Sequence, residues 1–222
     1  MKKPGRKRLV VMLHNSLVLV EPLKAAFKEI LPEVETLNII DESLLRDLLK
    51  SGGIDHNGTK RVCQYTIFAE EIGADIVLMT CSSLADSVDV ASKLVNIPVL
   101  KINEPMVMEA VRLGRRIAVL GTLSSVIEPT VRMLKEKAEK SGKKIDIKTV
   151  LFEEAFKALI SGDKAGHDRL VLAGITKISK KVDAIILAQG SMARLVPMID
   201  KGIKVPVLTC IISGVSRLKR FL

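Results

Sequence analysis

Cys81 follows the apolar run "IVLMT" and opens the stretch "CSSLAD", where a strand would end and a helix begin. A thiol at a helix N-terminus has its thiolate favoured by the helix dipole, which lowers its pKa from the usual value of about 8.5. Such a group can carry a proton to or from a carbon acid, or attack as a nucleophile. Its alternative is the buried structural thiol, a common fate of free cysteine. The stretch "ILAQGSMAR" at 186–194 repeats the pattern with Gln189 in the place of Cys81. An amide exchanges no proton usefully near neutral pH. Gln189 therefore reads as a neutral donor and acceptor for a substrate carboxylate or carbonyl, or as a loop residue bonded to backbone.

Other short polar groups gather at the same kind of position. His14 ends the first strand run and is a candidate to touch substrate at the rim that carries Cys81. Asn15 with Ser16, Ser82 with Ser83, Thr122 with Ser124 and Ser125, and Gly190 with Ser191 each combine small polar residues with helix-start N–H groups. These can bind a carboxylate without an arginine; each alone could be a helix cap. Four such clusters at matching strand ends favour a small acid as ligand. Cys63, among Val62, Ile67 and Phe68 of an amphipathic helix, and Cys210, after the last strand, read as core. His56 in "DHN" and His167 in "GHD" read as loop residues, with Asn57 and Asp168 capping the helices beside them. No Gly-rich phosphate loop, metal-ligand cluster or dinucleotide fingerprint occurs.

The elements that must hold these residues alternate strand and helix. Apolar runs at 8–13, 35–40, 74–80, 98–102, 115–121, 145–151, 182–188 and 206–211 read as buried strands. Helical periods at 21–31, 58–73, 128–142 and 167–182 separate them, which gives the α/β class with parallel sheets. The chain is also duplicated. "LVVMLHNSLVLVEPLKAAF" lies over "IAVLGTLSSVIEPTVRML", "LLKSGG" over "LISGD", and "NIPVLKI" over "KVPVLTC". The expected architecture is two similar halves, 1–104 and 105–222, related by a pseudo-twofold axis, with the terminal helix free to pack back on the first half. Pro22 and Pro129 fit near the first turn of a helix, after Glu21 and Glu128.

Composition bounds the rest. Of 222 residues 48% are hydrophobic, with no Trp and one Tyr, so the core is aliphatic and stacking platforms for single-stranded nucleic acid are nearly absent. The net charge of +10 raises the question of a nucleic-acid partner. The basic residues cluster only at Lys2, Lys3, Arg6, Lys7 and Arg8 and at Arg217, Lys219 and Arg220, and alternate with acids elsewhere, which suits a solvated surface better. The apolar run after the basic start is broken by His14, Asn15 and Ser16, too soon for a signal peptide, and no membrane span is expected. Three cysteines without paired spacing fit a reducing cytoplasm.

With its duplicated halves, "TCSS" after one strand and "LAQGSMA" after its counterpart, the chain resembles the cofactor-independent aspartate/glutamate/hydantoin racemase superfamily. "LAQGSMA" is similar to the hydantoin-racemase motif "LGCAGMA" with Gln189 in place of the cysteine. The resemblance implies an active site in a cleft between the halves, no cofactor, a small carboxylate-bearing substrate and a homo-oligomer. It implies an isomerase of racemase type with Cys81 as thiol acid/base or nucleophile. The alternatives are a single-cysteine decarboxylase or cis-trans isomerase of the same superfamily, and a binding protein that has lost catalysis. The superfamily's decarboxylases keep their one cysteine in the second half, opposite to this chain.

Overall fold

A computed structural model describes residues 6–222, so Lys2 and Lys3 of the basic start lie outside the described residues. The chain divides into two compact units: residues up to Ile102 together with Ile211–Leu222, and Asn103–Cys210.

The first unit contains β1 (Leu9–His14), α1 (Val20–Ile30), β2 (Glu35–Ile40), α2 (Glu42–Ser51), α3 (His56–Glu71), β3 (Ile76–Met79), α4 (Ala85–Ala91) and β4 (Val99–Lys101). The second contains α5 (Glu104–Leu113), β5 (Arg116–Gly121), α6 (Ser124–Lys140), β6 (Asp146–Leu151), α7 (Glu153–Ile160), α8 (Lys164–Ser179), β7 (Ala184–Leu187) and β8 (Val207–Leu208). The last helix, α9 (Cys210–Arg217), runs from the second unit into the first. Both sheets are parallel and share one strand order, β2-β1-β3-β4 and β6-β5-β7-β8.

Sequence dictates which strands are inside. β1 and β3 bury every residue, and so do β7 and all of β5 after Arg116. A strand covered on both faces has no polar side, so these segments are unbroken Val/Ile/Leu runs. β2 and β6, which end the sheets, mix exposed and half-buried residues. Each unit has its own aliphatic core: Val11, Leu13, Val77 and Met79 with helix residues Val62 and Val88 in the first, Leu120, Ile185 and Leu187 with Val171 and Ile175 in the second.

The duplication extends to individual devices. Asp75 opens the β3 segment, and its carboxylate accepts the Leu9 N–H at 2.8 Å and pairs with Arg6 and Arg8. Asp183 does the same before β7, accepting the Arg115 and Arg116 N–H groups at 3.0 and 2.9 Å and the Arg116 guanidinium at 2.6 Å. The Arg116 guanidinium, with those N–H groups, holds the Asp183 carboxyl far below the usual carboxylate range. Gly114 makes room for it, since a Cβ there would stand 2.2 Å from that of Asp183. The repeated "SG" of "LLKSGG" and "LISGD" supplies Gly52 and Gly162, whose φ of 73° and 89° are the left-handed geometry that ends a helix at least cost to glycine.

Several local expectations are corrected. Pro22 is the third residue of α1, as a first-turn proline should be, but Pro129 is the sixth of α6. The segment Ser124–Val126 is α-helical and extends α6 by a turn, whereas its counterpart Leu17–Leu19 is a 3-10 turn ahead of α1. His56 and His167 are helical, and the caps are Asp55 and Asp163, which accept the Gly58 and Gly166 N–H groups at 2.7 and 2.8 Å. Asn57 and Asp168 fall too late in their helices to serve. The run at 206–211 is strand only over Val207–Leu208, and Cys210 begins α9. No helix among the described residues is long and apolar enough to cross a membrane.

Candidate functional site

In both sheets the chain steps from the first strand to one side and then returns to the other, so the order reverses between β1 and β3 and between β5 and β7. Segments beyond the carboxyl ends of such strands diverge and leave space for a ligand. Leu13 is registered with Met79, which sets Asn15 beside Cys81. Leu120 is registered with Leu187, which sets Thr122 beside Gln189. The duplicated motifs thus converge on the switch point of each sheet.

Cys81 is half-buried against the first core and ends the extended chain ahead of a 3-10 turn at Ser82–Leu84. Burial pushes its thiol pKa up, while the Ser83 and Leu84 N–H groups and the Ser83 hydroxyl pull the other way. The net direction is upward, which corrects the expectation of a dipole-lowered pKa: a single tight turn followed by a seven-residue helix does not outweigh desolvation. The group held at neutral pH is the thiol. Cys63 and Cys210 are buried.

His14 is 2% exposed. Its Nε2 lies 2.9 Å from Asn38 Oδ1 and its Nδ1 2.9 Å from the Thr80 hydroxyl oxygen, which is also 2.8 Å from the Leu13 carbonyl. Both ring nitrogens are engaged within the first unit, so His14 ties β1 to its two neighbours and presents no free nitrogen to a ligand. Burial lowers its pKa, against a smaller upward pull from the Asn38 hydrogen bond. The unfolded state therefore takes up a proton that the folded state refuses. His14 supports the fold fully above about pH 6.5 and loses that support as pH falls below it, at no more than about 1.4 kcal/mol per pH unit. Denaturation followed from pH 7.5 to 5 should show this slope, and His14→Gln should flatten it.

Gln189 resolves one of its two readings structurally. Its Oε1 accepts both the backbone N–H and the hydroxyl of Thr122, at 2.6 and 2.9 Å. The amide oxygen is consumed in joining the β5 and β7 ends, and the NH2 remains as two donors. Thr122 is buried, Asn15, Ser16, Gly190 and Ser191 are partly buried, Ser82 and Ser83 are buried, and Ser124 is exposed ahead of half-buried Ser125.

The helix starts share one feature. None of those that follow β1, β3, β5 and β7 has a side-chain cap, with Ser16, Cys81, Leu123 and Gln189 standing at the capping positions. α2, α3 and α8 are capped by Asp41, Asp55 and Asp163, while α5 and α7 also lack a side-chain cap. A cap contributes about 1 kcal/mol. At the Cys81 end the first-turn N–H groups of Ser83 and Leu84 face the sulfur itself.

Two groups were not anticipated. Thr80, the neighbour of Cys81, was legible in "MTCSS", but its bond to His14 follows only from the strand order. Asp41, just after β2, accepts from Tyr65 Oη at 2.8 Å and from Ser43 N at 2.9 Å, and pairs with Arg61 at 3.1 Å. These donors hold its carboxyl below the usual range despite burial. In the second unit Phe152 follows β6 instead, with its ring over Gly174, where a Cβ would approach to 2.3 Å. Among the described residues no cluster of His, Cys, Asp and Glu is placed to hold a metal ion.

Comparison with known proteins agrees with this construction. Solved structures with the same fold include the allantoin racemase of Klebsiella pneumoniae, 20% identical with a TM-score of 0.70 over 96% of this chain and 86% of that one. The glutamate racemase of Aquifex pyrophilus is 20% identical, with a TM-score of 0.69 over 96% and 84%. The aspartate racemase of Picrophilus torridus is 13% identical, with a TM-score of 0.70 over 96% and 94%. A search of curated protein sequences finds no match. The family model described as Asp/Glu/Hydantoin racemase matches residues 16–218, and the chain belongs to that family.

Proposed function

We propose that this protein is a cofactor-independent isomerase of racemase type that moves a proton at the carbon next to the carboxyl group of a small acid, with Cys81 as the proton carrier. The observation that carries the reading is the strand-end thiol at the switch point of the first sheet, beside Asn15 and with the Ser83 and Leu84 N–H groups turned to its sulfur. Family membership supports it. Burial keeps the sulfur protonated at neutral pH, the form that gives a proton to a carbanion. The carbanion arises when a base takes the proton from the carbon next to the carboxyl group, or when a C–C bond breaks with release of carbon dioxide; the S–H bond then breaks, a C–H bond forms, and the thiolate regains its proton from water.

A second reading has an observation of its own. At the equivalent strand end of the second unit, Gln189 has no exchangeable acid or base and its oxygen is committed to Thr122. Its NH2 suits an oxygen of the substrate rather than a proton in transit. Racemisation needs two carriers, and chemistry on one face, such as protonation after loss of carbon dioxide, needs one.

Exchange in deuterium oxide separates the two. Amino acids, hydantoins and substituted malonates are incubated with the protein and followed by NMR. Label in both enantiomers is the outcome for racemisation. Label on one face only, or release of carbon dioxide, is the outcome for one-sided chemistry. No turnover of any of them, with acids still bound, would overturn the enzyme reading in favour of a binding protein.

A further inference from the structure

A cavity of about 750 Å³ opens in the second unit at the amino ends of β5, β7 and β8, where Arg115, Arg116, Asp183 and Lys204 line it. Small-molecule sites commonly fall in this size range, about 300–1,000 Å³. Thr122 and Gln189 lie at the other ends of β5 and β7, about 20 Å away along the six residues of β5. The charge of the cavity is unbalanced. Asp183 is matched by Arg116. The Arg115 guanidinium has no hydrogen-bond or ion-pair partner among the described residues, and the Lys204 ammonium reaches only the Lys201 carbonyl, at 3.2 Å. The first unit carries the same corner in closed form. On the register that lays Asp75 over Asp183 and Pro98 over Pro206, Arg6 lies over Gly114. The Arg6 guanidinium occupies its corner, donating to the Gly73 carbonyl and to Asp75, each at 2.8 Å. Gly114 has no side chain with which to do so, and Lys204 stands where the first unit has the neutral Asn96.

We infer that this cavity is a second binding site, separate from the strand-end site, for a phosphate monoester with a compact apolar body. Arg115 and Lys204 supply two positive charges for the phosphate dianion, and a guanidinium matches two of its oxygens at once. A carboxylate brings one charge and leaves one of the two cations unmatched. The remaining wall is apolar, made by Leu113, Val205 and Pro206, and covers the organic part of the ligand, which free phosphate lacks. Arg116 keeps its place beside Asp183 and holds the floor of the site in shape.

The test reads binding and needs no turnover. The 15N-labelled full chain is titrated with phenyl phosphate, inorganic phosphate and benzoate at low salt, each followed by amide chemical shift. Phenyl phosphate should bind with the lowest Kd of the three, and the shifts should centre on Arg115, Arg116, Lys204 and Val205. Arg115→Gln/Lys204→Gln should raise that Kd at least about tenfold, the usual consequence of losing hydrogen bonds to a charged group. Lys177→Gln/Lys180→Gln removes the same charge from exposed positions of α8 and should leave the Kd within about twofold, because distant surface charges are screened. Both pairs are exposed, so the variants should fold as the parent does, with thermal unfolding as the control. An equal loss in the two double variants would reduce the effect to diffuse attraction by a basic surface and overturn the proposal. No binding of phenyl phosphate, shifts centred on Thr122 and Gln189, or benzoate or inorganic phosphate binding as tightly would overturn it too.

Discussion

Cys81→Ala should lower turnover by about 10²–10⁴-fold, the range typical of removing a positioned acid or base. Its effect on stability should be small, because Cys81 is half-buried and has a small side chain at the edge of the first core. Comparing the exchange rates of parent and variant, with thermal unfolding as the control for folding, decides the assignment; equal rates would remove Cys81 from the chemistry. The pH profile adds a sign. Because the thiol pKa is raised, the protonated form persists through neutrality. A thiol acting as acid gives a rate that is level near neutral pH and falls as pH rises through the raised pKa. A thiolate acting as base gives a rate that climbs over the same range. Cys81→Ser should be nearly as inactive as the alanine variant, since an unactivated hydroxyl titrates far above either form.

Gly214→Ala should destabilise the first unit by about 1–3 kcal/mol, the usual cost of overpacking. Gly214 lies in α9, where an added Cβ would meet Ile102 Cγ1 at 2.5 Å and the Ile102 carbonyl oxygen at 2.8 Å. A side chain can turn aside, but a backbone carbonyl next to β4 cannot. Alanine's better helix propensity, about 1 kcal/mol over glycine, offsets only part of the clash. Calorimetry should show a Tm lower by several degrees, at roughly 2–4 °C per kcal/mol for a chain of this size. Gly214→Val should be worse. An unchanged Tm for both would mean that α9 shifts freely over Ile102.

The inner strands were legible because burial on both faces leaves one composition, and "LVVMLH", "IVLM", "RIAVLG" and "AIIL" all show it. The duplicated motifs are legible because matched strand ends require similar turns, and they pair Cys81 with Gln189 in the sequence itself. What failed was local. "PVLTCI" is a short apolar run, and nothing in such a run separates a strand from the start of a buried helix, so Cys210 and Ile211 were misread. The caps were displaced by two to five residues because Asp, Asn and His crowd both helix starts. The direction of the Cys81 pKa depends on how much water the fold removes, a quantity no motif records. His14 joins Asn38 across β1 and β2, two positions from its registered partner Ile40, and only the register brings them to one face of the sheet.

The second unit is one unbroken stretch, Asn103–Cys210, while the first is completed only by Ile211–Leu222. During synthesis, at about 5–20 residues per second, the first sheet is translated early but waits for its last helix through the whole of the second unit. Completion on the ribosome therefore runs against chain order. The later-translated unit can close first, and the earlier one is sealed only once Ile211–Leu222 emerge behind it.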